Sequence, residues 1–233
     1  MILSIHQPSY FPWLGLLHKI AKSDVFVLLD DVQLTDSAFQ HRNLFMTNDG
    51  KSKFLTIPFM RKNYLESPFS KLEIADQAWQ KNHLNFISNN YKKHPYFFEI
   101  YPLLENYYSK EYIYLIDAVT DSMRLIFDCL KIQTTLLRQS DLCYKKELKK
   151  GDLVMNLIDC VGADTYLSGL GAQAYLDEGA FGSSVLLEYD HFTHPVYPQL
   201  NSPQFIPGVS SLDILFNVGP IRSREILFSG VLN

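Results

Sequence analysis

Apolar residues run from Met1 to Ile5, recur at helical spacing between Trp13 and Lys22 (Leu14, Leu17, Ala21; Leu16, Ile20), and run again from Val25 to Leu29. The pattern predicts strand, loop, helix, strand. A crossover helix between parallel strands brings both carboxyl ends to one sheet edge, so His6-Gln7 and Asp30-Asp31 are expected to face a common crevice. Lys53 to Pro58 reads as another strand, stopped by proline, with the basic loop Arg61-Lys62-Asn63 behind it. Three strand ends would then feed three polar loops.

From about Asp76 to Leu130 the period becomes helical: Trp79, His83, Phe86 and Ile87 share a face, then Phe97, Tyr101, Leu104 and Tyr108, then Leu115, Val119, Met123, Phe127 and Leu130. Their aromatics are expected to pack, and His83 and His94 to be structural or surface residues. Thr134 to Arg138 reads as a strand. Asp152 caps a helix through Cys160 that Gly162 stops, and Thr165 to Ser168 is a strand running into Gly169-Leu170-Gly171, with a helix from near Ala172. Ser184 to Tyr189 is a further strand, followed by an irregular Pro-rich segment through Pro207. Ser211 to Phe216 and Ile221 to Phe228 read as short helices broken at Gly219-Pro220. Strands alternating with helices at both ends of the chain favour an α/β fold: a mostly parallel sheet with flanking helices and a helical insertion in the middle. The expected organisation is a single α/β domain over 1–233, with the helical layer, 76–130, inserted in it.

Composition narrows the function classes. The 233 residues are 47% apolar and 14% aromatic, enough for a large packed core, and a net charge of −4 argues against general affinity for nucleic acid. No run approaches the roughly 18 uncharged apolar residues that a membrane span needs, and no signal peptide is evident. A cytoplasmic protein without membrane insertion is expected. Cys129, Cys143 and Cys160 stand singly, and read as reduced and structural.

No nucleophile elbow, zinc-protease helix, P-loop or paired-Cys motif is present. The stretch His6-Gln-Pro-Ser-Tyr10-Phe-Pro-Trp13-Leu-Gly15 crowds two prolines, three aromatics, a His, a Gln and a Gly into ten residues, a rigid loop of the kind that carries function. Histidine suits general-base work, and a carboxylate from Asp30 or Asp31 would fix its tautomer; the residues leave open whether His6 or His41 is the base. Arg42 could clamp a phosphate or carboxylate with two hydrogen bonds, beside Asn43 and Arg61. The turn from Ser168 through Gly169 to Gly171 could offer backbone N–H groups to an anion. The competing structural readings are that these polar strand ends cap turns and that an aspartate pairs with Arg42. Metal binding by Asp30-Asp31 would need a turn there, since adjacent strand residues point to opposite sides, and no metal is assigned.

Ser4 through Gly15, Asp24 through Val32, His41-Arg42-Asn43, Leu55-Thr56-Ile57-Pro58, Tyr166-Leu167-Ser168-Gly169 and Ser211 through Asn217 together resemble the WbqC-like family, over nearly the whole chain. The resemblance implies a protein of bacterial surface-polysaccharide (O-antigen, lipopolysaccharide) gene clusters with a glycine- or aminoacyl-transferring role on amino sugars. It carries over His6, Gln7, Tyr10, Trp13, Asp30, Asp31, His41 and Arg42 as motif positions. The Phe-Pro-x-x-Gly loop from Phe11 to Gly15 is also similar to the nucleotide-binding superfamily of nucleotidylyltransferases, class I aminoacyl-tRNA synthetases and pantothenate synthetase. Where that superfamily carries two histidines around the glycine, this chain has Trp13 and Leu16.

The expectation is therefore an acyl- or aminoacyl-transferring enzyme acting on a nucleotide-linked amino sugar. His6, Asp30, Asp31 and His41 would be catalytic, and Gln7, Tyr10, Trp13, Arg42, Asn43, Arg61, Ser168, Gly169 and Gly171 would bind substrate. No cofactor motif names a donor: an activated acyl or aminoacyl group or ATP would serve, and tRNA enters only if the donor is an aminoacyl-tRNA. The rivals are an ATP-dependent adenylating amide ligase or nucleotidylyltransferase-like enzyme, and a non-catalytic ligand- or partner-binding module of the same pathway.

Overall fold

The structure, a computed structural model, describes residues 1–35, 39–173, 181, 184–200 and 202–229. Strand β1 (Ile2–His6), helix α1 (Leu14–Ala21) and strand β2 (Val25–Leu28) open the chain as the apolar pattern predicts. Strands β3 (Arg42–Met46) and β4 (Ser52–Thr56) follow, then helices α2 (Ala78–Tyr91), α3 (Phe97–Tyr108) and α4 (Leu115–Leu130). Strand β5 (Thr135–Arg138), helix α5 (Lys150–Val161), strands β6 (Thr165–Gly169) and β7 (Leu186–Asp190) and helix α6 (Leu212–Phe228) complete the fold. No helix among the described residues is long and apolar enough to cross a membrane.

Five strands form one parallel sheet in the order β5-β2-β1-β6-β7. Alternation along the strands divides the interior between the two faces, as successive side chains must. Leu3, Ile5, Val25 and Val27 pack with Leu153, Val154, Leu157 and Ile158 of α5. Phe26 and Leu28 face the other way, onto α1 and the larger core built with α2, α3, α4 and α6. The chain is an α/β protein whose parallel sheet is flanked by helices.

The strand read at Lys53 to Pro58 is β4, but it pairs antiparallel with β3, Arg42 opposite Thr56, in a separate two-stranded sheet. The loop behind it therefore does not belong to the carboxyl edge of the parallel sheet, as the sequence reading expected. Its apolar run could not distinguish the two sheets, because a half-buried hairpin strand and a sheet strand share one period. Asp152 lies in the first turn of α5, with Lys149 at the cap position. A short 3-10 turn stands at Leu170–Ala172, and the residues over which the sequence predicts a helix, from 174 to 180, lie outside the described residues.

The break read at Gly219-Pro220 is a kink inside α6. Gly219 has φ 77° and ψ 167°, and a Cβ there would meet the Tyr96 ring at 2.4 Å. Only glycine satisfies both conditions without strain.

Candidate functional site

From β1 the chain moves outward through β2 to β5, then returns to the other side of β1 with β6 and β7. That reversal is a topological switch point, where open α/β sheets bind ligands beyond the strands' carboxyl ends. The pairing shows why a space opens there. β1 and β2 stay paired as far as His6 and Leu28, whereas β1 and β6 are paired only at Ile2 with Thr165 and Leu3 with Tyr166. Beyond Leu3 the two strands part.

A cavity of about 280 Å³ stands at the carboxyl ends of these strands, lined by His6 from β1, Trp13 and Lys19 from the loop and helix that follow, Gly169 and Gly171 from the end of β6 and Asp190 from β7. His6 Nδ1 donates to the Gln7 carbonyl at 2.8 Å, which leaves Nε2 as the acceptor of a neutral ring. Desolvation first, and the Lys19 charge second, lower the His6 pKa to about 4, against the pull of the Gln7 bond. The ring edge is open to the cleft, so water offsets part of the desolvation while the direction of the shift stands. Lys19 is 5% exposed and its Nζ donates to the Ile5 carbonyl at 3.0 Å. Burial lowers its pKa to about 8, against the attraction of Asp190.

Asp190, at the end of β7, meets His18 Nδ1 at 2.9 Å and Lys22 Nζ at 3.2 Å. Desolvation would raise its pKa, but these partners outweigh it and hold the carboxyl below its usual range. The indole of Trp13 packs edge-on to Phe192, with ring centres 5.6 Å apart. Among the described residues no atom lies within 4 Å of where a Cβ on Gly169 or Gly171 would stand. Backbone strain does not demand glycine at either place; its absence of a side chain keeps the cleft open to a ligand at the backbone.

The loop from Gln7 to Trp13 is held from behind. Phe11 adopts φ 42°, a costly conformation for a bulky residue. Asn43 Nδ2 donates to the Tyr10 and Phe11 carbonyls, and Phe11 N donates to Ser122 Oγ. Asn43 is fully buried, so its task is bracing this turn. Tyr10, expected to stack on substrate, is also fully buried; its hydroxyl bonds His83 Nδ1 and the Tyr108 hydroxyl.

Among the described residues His6 and the paired aspartates share no crevice: β1 and β2 stay paired through His6 and Leu28, and Asp31 lines a different recess, with Tyr144 and Lys146. Asp30 is fully buried and accepts from Ser140 N and Ser140 Oγ at 2.9 and 2.7 Å. Asp31 accepts from the Tyr144 hydroxyl and lies 3.5 Å from Lys146 Nζ. Both aspartates tie the end of β2 to the segment after β5, and among the described residues neither bonds His6. Ser168 is fully buried under its turn. His41, Arg42 and Arg61 belong to the hairpin region instead. His41 packs edge-on to Phe59 at 5.2 Å, Arg42 lies over Phe54 at 4.6 Å and Arg61 over Phe59 at 5.5 Å.

Of the residues singled out in the sequence, the cleft gathers His6, Trp13, Gly169 and Gly171, with Gln7 bonded to the His6 ring. Sequence reasoning missed Lys19 and Asp190, together with His18 and Lys22, which hold Asp190. A signal for Lys19 exists: it interrupts a helix in which every residue from Leu14 to Ile20 is buried. A lysine is almost never fully buried without a reason. Among the described residues no group of three His, Cys, Asp or Glu side chains could hold a metal ion.

The WbqC-like protein family matches residues 7–225 of the chain. The protein described as "Uncharacterized protein Rv1507c", from Mycobacterium tuberculosis, is 31% identical over 220 residues, covering 93% of this chain and 94% of its own. No solved structure matches the chain. The chain belongs to the WbqC-like protein family.

Proposed function

We propose that the chain is a transferase that forms an amide on a nucleotide-linked amino sugar, taking an acyl or aminoacyl group from an activated donor during surface-polysaccharide synthesis. The observation that carries this reading is the switch-point cleft, which combines a neutral imidazole acceptor, a buried lysine, two unobstructed glycines and an aromatic wall. The amino nitrogen attacks the donor carbonyl; a C–N bond forms, the bond to the leaving group breaks, and His6 Nε2 takes the proton released by nitrogen. Trp13 packs on the sugar or base, and the backbone from Gly169 to Gly171 lies open to phosphate oxygens. Asp30, Asp31, Tyr10 and Asn43 act here as braces.

A second reading is ATP-dependent adenylation of the acid. It is favoured by the strand order, which puts the cleft beside the first strand–loop–helix unit; Trp13 and Leu16, which stand where the nucleotide-binding superfamily carries its two histidines, count against it. A thermal-shift screen against nucleotide sugars and ATP separates the two, since a ligand at about 100 times its Kd stabilises by roughly 2.7 kcal/mol. Amide formation on the responding sugar nucleotide then tests the chemistry. Turnover by His6→Ala within a few-fold of wild type would overturn the assignment.

A further inference from the structure

The amide-forming reading needs a base, and His6, its pKa lowered to about 4 by desolvation and by the charge on Lys19, is by itself a poor one. Lys19 itself is incompletely satisfied. One N–H of its ammonium is used, on the Ile5 carbonyl, and among the described residues no carboxylate lies within ion-pair distance of it. Asp190, the acid whose charge acts on it, is already engaged by His18 and Lys22. A buried cation with two spare donors, facing a cavity, is costly until an anion meets it.

We infer that Lys19 anchors a phosphoryl group of the ligand and that this anion, by offsetting the lysine charge, turns His6 into an effective base only when substrate is present. The inference rests on the amide-forming reading and supplies its regulation. The groups facing the His6 ring agree with it. Lys19 comes from α1; from β7 comes Asp190, paired with His18 and Lys22 and still acting on the lysine; from the β2 side, Asp30 and Asp31 are occupied by Ser140, Tyr144 and Lys146. Among the described residues Lys19 is the charged group that acts on the His6 ring, so an anion beside the lysine changes the field there. The glycines at 169 and 171 leave the space for it.

The proton linkage has a defined sign. A bound anion raises the His6 pKa, so the complex holds more protons than the free protein. Affinity then increases as pH falls through the raised value and levels off near the free value of about 4. On the alkaline side, affinity falls as Lys19 loses its proton near pH 8.

The His6 ring is followed by NMR in the full chain as pH is varied, alone and with saturating inorganic pyrophosphate, uridine diphosphate N-acetylglucosamine or ATP. The expected result is a rise of about one pKa unit or more on binding. Lys19→Gln should weaken pyrophosphate binding by roughly tenfold or more, raise the His6 pKa of the free chain and abolish the ligand-induced rise, whereas Lys19→Arg should preserve binding. An unchanged His6 pKa at saturation, or pyrophosphate affinity retained in Lys19→Gln, overturns the inference. The ligand that binds tightest tells a nucleotide-linked sugar from a free nucleotide. Binding with the His6 shift but without amide formation sustains the anchor and removes the transferase reading.

Discussion

The Trp13 indole lies against Gly15 so closely that a Cβ on Gly15 would stand 2.1 Å from Trp13 Cη2. In the first turn of a helix, alanine ordinarily stabilises over glycine by roughly 0.5–1 kcal/mol. Gly15 thus gives up helix propensity to seat the indole in the lining of the cleft. Gly15→Ala is expected to keep the fold, with its melting temperature within a few degrees of wild type, while the thermal shift caused by the cleft ligand shrinks. An undiminished ligand shift would show that the indole position is irrelevant to binding.

Tyr10 is predicted to matter for stability and not for recognition. Tyr10→Phe leaves His83 Nδ1 and the Tyr108 hydroxyl short of a buried partner. Such a loss costs about 1–3 kcal/mol. Urea denaturation should show it, with ligand affinity unchanged.

Asp30→Ala removes the acceptor for Ser140 N and Ser140 Oγ. The same class of loss applies, about 1–3 kcal/mol, read by denaturant midpoint. Affinity for the cleft ligand should survive, since Asp30 is buried against Ser140 and does not line the cleft. A collapse of affinity with unchanged stability would return Asp30 to the site.

Asp213 supplies a pH signature. Its Oδ2 accepts from the Tyr197 hydroxyl and Gln199 Nε2, yet desolvation lifts its pKa to about 6 over the opposing bonds. A raised carboxyl pKa means that the folded state binds the proton more tightly than the unfolded one. Stability contributed by the protonated form is therefore full at acid pH and lost as pH rises from the unfolded value through about 6, a loss of roughly 3 kcal/mol at most. Asp213→Asn should remove this slope, so the stability difference between variant and wild type changes between about pH 4 and 6 and is constant above. A constant difference across that range would show that Asp213 titrates normally.

The opening β1-α1-β2 unit, the helical layer and the broken final helix were legible because each rests on local periodicity and punctuation: alternating or continuous apolar runs, heptad-like spacing, Gly219-Pro220. The pairing partner of β4 was not, since register depends on contacts distant in sequence. The site divided along the same line. His6, Trp13, Gly169 and Gly171 stood out as unusual residues at strand ends. Asp30 stood out equally, but which side of β1 would open depended on where β6 inserted. Lys19 and Asp190 are separated by most of the chain, and only the fold makes them neighbours. Tyr10 and Asn43 looked like site residues because bracing a turn as strained as Phe11 demands the same dense polar and aromatic chemistry as binding does.

The divergence of β1 and β6 has a bearing on how this family could diversify. A recess produced by the path of the backbone does not depend on any particular wall residue for its existence. A wall side chain such as Leu170 can thus change in size and reshape the recess, while the strand order keeps it in being.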